Sequence, residues 1–159
     1  MDMVTFKKIF VIAGLLCLAP TPSSHAQQFR LTVGSPIAGN TPGFKDSLFV
    51  VRTDGCAEPA KARISASGEG LVNGVRRTAA IAPAPLAQPG AYAISRRGMI
   101  DGTWVVSLTA TCRDMTAGAI VPIGPHGFLR EPSKFFPRPA TAGEVNEALR
   151  TLSANGGAR

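Results

Sequence analysis

The stretch of sequence that decides the fold is residues 103–112, which read TWVVSLTATC. Apolar side chains alternate with hydroxyl side chains along most of it, and this period of two is typical of a strand that buries one face. The positions expected to face the core are Trp104, Val106, Leu108, Ala110 and Cys112. Serine and threonine occupy most of the opposite face. Ten residues of this kind predict a central strand.

Short apolar or alternating runs separated by glycine and proline occupy much of the remaining chain. We predict six further strands, at residues 29–33, 48–52, 62–67, 75–81, 91–96 and 119–123. Asn73-Gly74 lies between two of these runs and predicts a tight hairpin, because both residues tolerate positive φ. About seven strands without intervening helices predict an all-β fold, an immunoglobulin-like antiparallel β-sandwich over residues 27–131.

Residues 132–159 have a different character, with a proline-bounded segment followed by a helical pattern. Thr141 and Glu144 have the spacing of a capping box, in which each side chain binds the other residue's backbone N–H. Four apolar residues then recur at helical spacing, namely Val145, Ala148, Leu149 and Leu152. We predict a short amphipathic helix over residues 141–152. Because such a helix is marginal alone, its apolar side should dock on its own sandwich, on a partner or on a membrane surface.

The first 26 residues have the pattern of a secretory signal peptide. Lys7 and Lys8 precede an uncharged, mostly apolar run at residues 9–19, and Ser24-His25-Ala26 supplies the small residues of a cleavage site. The apolar run is too short to span a bilayer as a helix, which takes about 20 residues. We therefore expect cleavage after Ala26, a secreted or periplasmic mature chain, and no transmembrane span in it.

The charge of the chain narrows the class of partner. The full chain has 17 basic and 10 acidic residues, and its net charge is +7. The densest basic positions are the pairs Arg76-Arg77 and Arg96-Arg97, which are usually solvated but can attract anionic phospholipid, lipopolysaccharide or cell-wall polymers. An exported chain without a nucleic-acid motif is not expected to bind nucleic acid. The expected partner is an envelope protein or an anionic cell-surface component.

The cysteines predict one disulfide. Cys17 leaves with the signal peptide, so that the mature chain contains only Cys56 and Cys112. An exported chain with two cysteines most simply joins them. The bridge should tie the long strand at residues 103–112 to the end of the strand at 48–52.

The sequence offers few groups for catalysis, and we expect no enzyme activity and no cofactor. After cleavage His126 is the remaining histidine, it lies in a turn sequence, and no G-x-S-x-G motif accompanies it. A hydrolase built on a carboxylate pair such as Asp101 and Glu131 ranks lowest, because both residues lie in or near predicted turns. No metal site is expected. The alternative function is copper handling by Met99, Met115 or His126, since thioethers suit Cu(I), although no Met-x-x-Met or His-x-x-Met cluster exists.

Gly90-Ala91-Tyr92 and the later Gly102-Thr103-Trp104-Val105-Val106 resemble the Gly-x-Tyr and Gly-x-Trp-x-Val motifs of small exported Ig-like domains of the YtkA/FixH type. The resemblance covers about residues 62–111. It implies a β-sandwich in which Tyr92 and Trp104 are core residues on neighbouring strands. The chain departs from the pattern by the Cys56 and Cys112 pair, by the lack of a membrane anchor after the signal, and by the lack of a copper-ligand cluster.

These observations predict an exported, non-catalytic binding or structural module stabilised by one disulfide. The best candidate for a partner contact is the segment at residues 124–136, in which prolines frame Phe128, Phe135 and Phe136. The alternative is that these rings cover one end of the sandwich.

Overall fold

The computed structural model describes residues 28–36 and 46–156, and the predicted signal peptide lies outside them. In chain order the strands are β1 (Arg30–Gly34), β2 (Ser47–Asp54), β3 (Arg63–Val72), β4 (Val75–Ile81), β5 (Ala84–Pro85), β6 (Ala91–Ser95), β7 (Thr103–Cys112), β8 (Met115–Gly124), β9 (Gly127–Phe128) and β10 (Lys134–Phe136). Helix α1 (Ala142–Gly156) follows, and a 3₁₀ turn, Pro59–Lys61, precedes β3. All seven predicted strands are present, and the three added ones are two or three residues long.

The strands form two antiparallel sheets, as the sequence predicted. The first sheet has the order β1-β2-β6-β5. The second has the order β10-β8-β7-β3-β4, with β9 paired to β8. Strand β7 lies at the centre of the second sheet, where its residues pair with both β3 and β8. The prediction of an all-β sandwich with a short C-terminal helix is confirmed.

Two hairpins in the second sheet depend on residues with positive φ. Asn73 (φ 50°) and Gly74 (φ 76°) connect β3 to β4, which confirms the predicted tight turn. Arg113 (φ 54°) and Asp114 form the two-residue turn from β7 to β8, in which Arg113 has the positive φ. This second turn was not predicted, and because of it β8 begins four residues earlier than the expected strand at 119–123.

The main core lies between the two sheets. Its fully buried side chains include Phe49, Val51, Ile94, Val106, Leu108 and Val121. The predicted disulfide joins Cys56 to Cys112, with 6.0 Å between their Cα atoms. Cys56 follows β2 in the first sheet and Cys112 ends β7 in the second, so the bridge links the two sheets.

A second, smaller core lies on the other face of the second sheet. There Val105 and Ile120 are fully buried against Val145, Ala148 and Leu149 of α1. Strand β7 is therefore buried on both faces for part of its length, which explains the consecutive apolar residues 104–106 in an otherwise alternating strand. The helix docks on its own sandwich.

The segment at residues 132–159 continues the sheet and then covers it. Strand β10 pairs with β8, with Lys134 opposite Ile120 and Phe136 opposite Gly118. Thr141 and Glu144 form the predicted capping box. The Thr141 backbone N–H donates to Glu144 Oε2 at 2.8 Å, and the Glu144 N–H donates to Thr141 Oγ1 at 3.3 Å.

Helix α1 begins at Ala142, one residue after the predicted start, and continues to Gly156, four residues beyond the predicted end. Within the part of the chain that the structure describes, no helix has the length and apolarity needed to cross a membrane.

Candidate functional site

The three phenylalanines predicted to form a contact surface lie in three different environments. The Phe128 ring packs on Phe49, with ring centroids 5.7 Å apart, at the edge of the main core. Phe136 packs on the smaller core below α1, and the Arg138 guanidinium lies 5.1 Å from its centroid. Phe135 points to the opposite face of β10 and is 50% exposed. The rings do not form one patch. Phe135 is the most exposed of the three, and Phe128 lines the recess that also contains Met99 and His126.

The residues considered as copper ligands are divided between the two ends of the sandwich. Met99 and His126 line one recess. Met115 pairs with Cys112 at the far end of β7. The Met99 side chain also turns toward the core, since its Cε lies 3.0 Å from where a Cβ on Gly68 would be. Among residues 28–36 and 46–156, no three His, Cys, Asp or Glu side chains are grouped so as to hold a metal.

The two carboxylates weighed for hydrolysis are not brought into one recess. Asp101 lines an apolar recess beside β7, whereas Glu131 lies exposed in the turn before β10 and is not part of its lining. His126 lies with Pro125 in the two-residue turn between β8 and β9, as the sequence predicted.

Tyr92 and Trp104 both contribute to the main core, but they belong to facing sheets rather than to neighbouring strands of one sheet. The Tyr92 hydroxyl donates a hydrogen bond to the Ala62 carbonyl at 2.6 Å. The Trp104 Nε1–H donates to the Ile100 carbonyl at 2.8 Å, so this ring also anchors the loop that precedes its strand.

That loop, residues 96–102, is named here the Met99 loop. Its first part is a tight turn in which the Met99 N–H donates to the Arg96 carbonyl at 3.0 Å. Gly98 supplies the positive φ of +82° that this turn requires. The Arg96 N–H in turn donates to the Asp46 carbonyl at 3.1 Å, which ties the loop to the start of β2. Arg97 therefore occupies the exposed corner of a fixed turn.

The second part of the Met99 loop contains Ile100, whose side chain is exposed to solvent. The Ile100 side chain is 61% exposed, although its carbonyl is fixed by Trp104. Gly102 closes the loop against β3, because a Cβ there would lie 2.6 Å from the Leu71 carbonyl oxygen. The exposed Ile100 side chain is therefore attached to backbone that is fixed by the Trp104 hydrogen bond and by the close contact of Gly102 with β3.

The turn between β8 and β9 lies next to the Met99 loop, at the same end of the sandwich. Gly124 pairs with Gly127 across Pro125 and His126. The next residue after β9, Leu129, donates its N–H to the Pro122 carbonyl at 2.8 Å. The Leu129 side chain folds back over Gly124, so closely that a Cβ there would lie 3.0 Å from Leu129 Cδ2.

Two recesses lie between these loops, at the end of the sandwich that we name the Met99 end. The first, here the apolar recess, has a volume of about 580 Å³ and lies between the Met99 loop, the end of β8 and the last turns of α1. Its large apolar side chains are Met99, Ile100, Trp104, Ile123, Leu129 and Leu152. Arg96 and Asp101 are the charged side chains at this recess.

The second, here the polar recess, has a volume of about 730 Å³ and lies between the Met99 loop, the start of β2 and the turn at residues 125–127. Its charged or titratable side chains are Asp46, Arg96, Arg97 and His126. Arg96, Met99 and Pro125 line both recesses and so form their common wall.

The arginines at the Met99 end have no carboxylate partner among the residues that the structure describes. The ion pairs in this part of the chain involve other basic residues, namely Arg30, Lys61, Arg76, Arg113, Lys134 and Arg138. Arg96 and Arg97 share the polar recess with a single aspartate, Asp46, and Arg96 also lines the apolar recess together with Asp101. The polar recess therefore has two basic side chains and one acidic side chain.

At the opposite end, beside the disulfide, Glu58 is paired with two basic side chains. Lys61 Nζ lies 2.5 Å from a Glu58 carboxylate oxygen, and Arg113 lies 2.5 Å from the other oxygen. Hydrogen bonds from Lys61 first, and then from Arg113, lower the pKa of Glu58 from its ordinary value. Lys61 and Arg113 thus differ from Arg96 and Arg97 in having a carboxylate partner.

The described geometry thus assembles an exposed isoleucine, an apolar recess and two unpaired guanidinium groups at one end of the sandwich. The sequence had singled out Arg96-Arg97, Met99 and His126 separately but gave no reason to place them together with Ile100. Known proteins provide no further guide, because no family model, no curated protein and no solved structure matches this chain.

Proposed function

We propose that the protein is an exported, non-catalytic binding module of the cell envelope and that it contacts its partner through the Met99 end. The observation that carries this proposal is the 61% exposure of Ile100 on a loop that Trp104 holds in place, beside an apolar recess. An exposed apolar side chain on fixed backbone can bury its surface in a complex without the cost of ordering the loop.

The architecture supports a binding role. Loops at the end of a rigid β-sandwich are common sites of recognition, because the sheets fix the positions of the loop ends. Here the disulfide links the sheets at one end, and the Met99 end lies at the other. The partner in this proposal is an envelope protein or an anionic cell-surface component. The immunoglobulin-like character of the domain, drawn from its YtkA/FixH-type motifs, belongs to the same proposal.

Export is part of the proposal, and the pattern of residues 1–26 supports it. The protein should accumulate outside the cytoplasm, with a mature chain that begins at Gln27. Intact-mass measurement of the protein from the cell envelope and the culture medium tests both points. A chain that is retained in the cytoplasm with its first 26 residues would contradict the localisation.

A photo-crosslinking amino acid placed at position 100 tests the contact surface directly. We expect light-dependent products with an envelope component from position 100. The matched control is position 115 on β8, where Met115 is 37% exposed at the opposite end of the sandwich. Equal crosslinking from both positions, or products from position 115 only, would contradict a contact at the Met99 end.

Copper handling is the second candidate, because Met99 and His126 line the same recess. If it were correct, Cu(I) titration against a competing chelator would show binding tighter than micromolar that Met99→Leu and His126→Ala both weaken. Met115→Leu is the matched control, since Met115 lies at the other end of β7. Weaker binding of Cu(I) by the unmodified protein would end this candidate.

A further inference from the structure

We propose that the Met99 end binds an anionic amphiphile, with its apolar part in the apolar recess and its anionic group in the polar recess between Arg96 and Arg97. This inference rests on the proposed function and deepens it, because it names the chemical class of the ligand.

The apolar recess has the properties expected of a site for an apolar group. Its volume of about 580 Å³ lies within the range of roughly 300–1,000 Å³ typical of small-molecule pockets. It is lined mainly by apolar side chains, including the buried Trp104 and the exposed Ile100. A ligand that covers Ile100 gains from burying apolar surface that the free protein leaves in water.

The polar recess favours an anion. Arg96 and Arg97 line it together and have no carboxylate partner in the described part of the chain. A guanidinium presents N–H donors in a fork that matches a carboxylate or phosphate. Asp46 also lines this recess and opposes the arginines, so the local balance is two basic side chains against one acidic one. The His126 ring provides a further polar group at the same place.

The wall shared by the two recesses favours a single ligand that has both an apolar part and an anionic part. Arg96, Met99 and Pro125 belong to both recesses, so an apolar group in one recess lies directly beside an anionic group in the other. A free inorganic anion would use only the arginines, and an uncharged apolar molecule would use only the apolar lining. An amphiphile satisfies both recesses at once. A cationic amphiphile would instead place its charge against Arg96 and Arg97.

The protein contains its own reporter for this binding. Trp104 is the single tryptophan of the chain, it lines the apolar recess, and its Nε1–H binds the Ile100 carbonyl. A ligand in the apolar recess should therefore change the wavelength or intensity of tryptophan emission.

The experiment uses the disulfide-bonded chain from Gln27 to Arg159 and three probes at concentrations where they are monomeric. These are dodecyl phosphate, dodecyltrimethylammonium and inorganic phosphate, followed by tryptophan emission and by isothermal titration calorimetry. We expect saturable one-to-one binding of dodecyl phosphate. The other two probes should bind at least about tenfold more weakly, because dodecyltrimethylammonium cannot accept hydrogen bonds from the arginines and inorganic phosphate has no apolar chain to bury.

Matched variants separate the two parts of the site. Replacing Arg96 and Arg97 by glutamine should weaken dodecyl phosphate binding about tenfold or more. The same double replacement at Arg76 and Arg77, which removes the same charge from β4, should leave the affinity within about twofold. The Ile100→Ser variant should also weaken binding, whereas Met115→Ser, at the opposite end of the sandwich, should not.

Three outcomes would overturn the inference: equal affinity for the anionic and cationic probes, equal losses in the two double-arginine variants, or no saturable binding at all. In the last case, crosslinking from position 100 to an envelope protein would leave the proposed function standing. Saturable dodecyl phosphate binding without any crosslink from position 100 would support the amphiphile and contradict a macromolecular partner at this surface.

Discussion

The indole ring of Trp104 lies directly on the backbone of Gly70, its register partner on the adjacent strand β3. A Cβ on Gly70 would lie 2.4 Å from Cδ2 of the ring, so no residue other than glycine fits without displacing the indole. The ring is 4% exposed, and its Nε1–H holds the Ile100 carbonyl. The position of the Met99 loop therefore depends on the lack of a side chain at position 70.

Gly70→Ala should destabilise the protein by about 1–3 kcal/mol, because the added methyl group overpacks the core against a rigid ring. Gly68→Ala is the matched control on the same strand. Its Cβ would lie 3.0 Å from the mobile Cε end of Met99, which can move aside. Urea unfolding followed by tryptophan emission measures both losses. Equal losses for the two variants would contradict the specific role of the Trp104 contact.

Removal of the disulfide should lower the free energy of unfolding by about 2–5 kcal/mol, since the bridge closes a long loop and links the two sheets. Cys56 and Cys112 are 56 residues apart in sequence. The measurement compares urea unfolding of the oxidised protein, the reduced protein and the variant with alanine at both positions. The oxidised protein should also be insensitive to thiol-alkylating reagents in its native state. A double-alanine variant as stable as the oxidised protein would exclude a stabilising role for the bridge.

Leu149→Ala should cost about 2–5 kcal/mol, which is typical of a large-to-small change at a buried site. Leu149 is 4% exposed between α1 and the second sheet, where it shares a cluster with Val105 and Ile120. Arg150→Ala, the neighbouring exposed position, is the matched control and should change stability little. Thermal unfolding of both variants provides the test. A negligible loss for Leu149→Ala would mean that the helix is not part of the folded unit.

The same packing predicts the result of deleting residues 132–159. Removing β10 and α1 would expose Val105 and Ile120, which are now fully buried. The truncated chain should therefore lose its cooperative thermal transition or aggregate. Retention of a cooperative transition at the original temperature would show that residues 27–131 fold alone.

The ionised Glu144 carboxylate should stabilise the protein at pH values above the ordinary pKa of a glutamate. This stabilisation should be lost in strong acid. Hydrogen bonding from Arg138, followed by the Thr141 backbone, lowers the pKa of Glu144 from 4.5 to about 2. A carboxyl group whose pKa is lower in the folded state stabilises that state above the unfolded pKa, and this contribution is lost as pH falls toward the folded pKa. The difference in Tm between the unmodified protein and Glu144→Gln should be constant above about pH 5 and shrink between pH 4.5 and 2.

Glu147→Gln provides the control for this pH series. Glu147 is on the same helix and lies 3.7 Å from Lys134, but it takes no part in the capping box. A Tm difference for Glu144→Gln that stays unchanged down to pH 2 would contradict the role of the ionised carboxylate.

Local chemistry was enough to predict most of the elements. The alternation along residues 103–112, the turn at Asn73-Gly74 and the capping box at Thr141 and Glu144 each depend on residues close in sequence. Strand β8 was predicted too short because its pairing starts at the turn through Arg113, a residue with no strong preference for positive φ. The short strands β5, β9 and β10 contain two or three residues and depend on pairing with distant strands, so no local period marks them.

The candidate site was beyond prediction for the same reason. Its residues come from the start of β2, the Met99 loop, the turn after β8 and the end of α1, which are far apart in sequence. The three phenylalanines, which are close in sequence, are separated instead, since neighbouring residues of a strand point to opposite faces.

The sequence by itself determined the seven longer strands, one hairpin turn, the helix start and the pairing of two cysteines. Period, turn chemistry, capping and cysteine number are local or compositional properties. Only the tertiary structure decided which sheet each strand joins, where α1 docks and which unpaired charges meet which apolar side chains. Those outcomes follow from burying apolar surface between elements that lie far apart along the chain. The stretch TWVVSLTATC shows both kinds of information: its alternation defines the strand, while the burial of Val105 on the second face is explained by a helix that begins some 37 residues later.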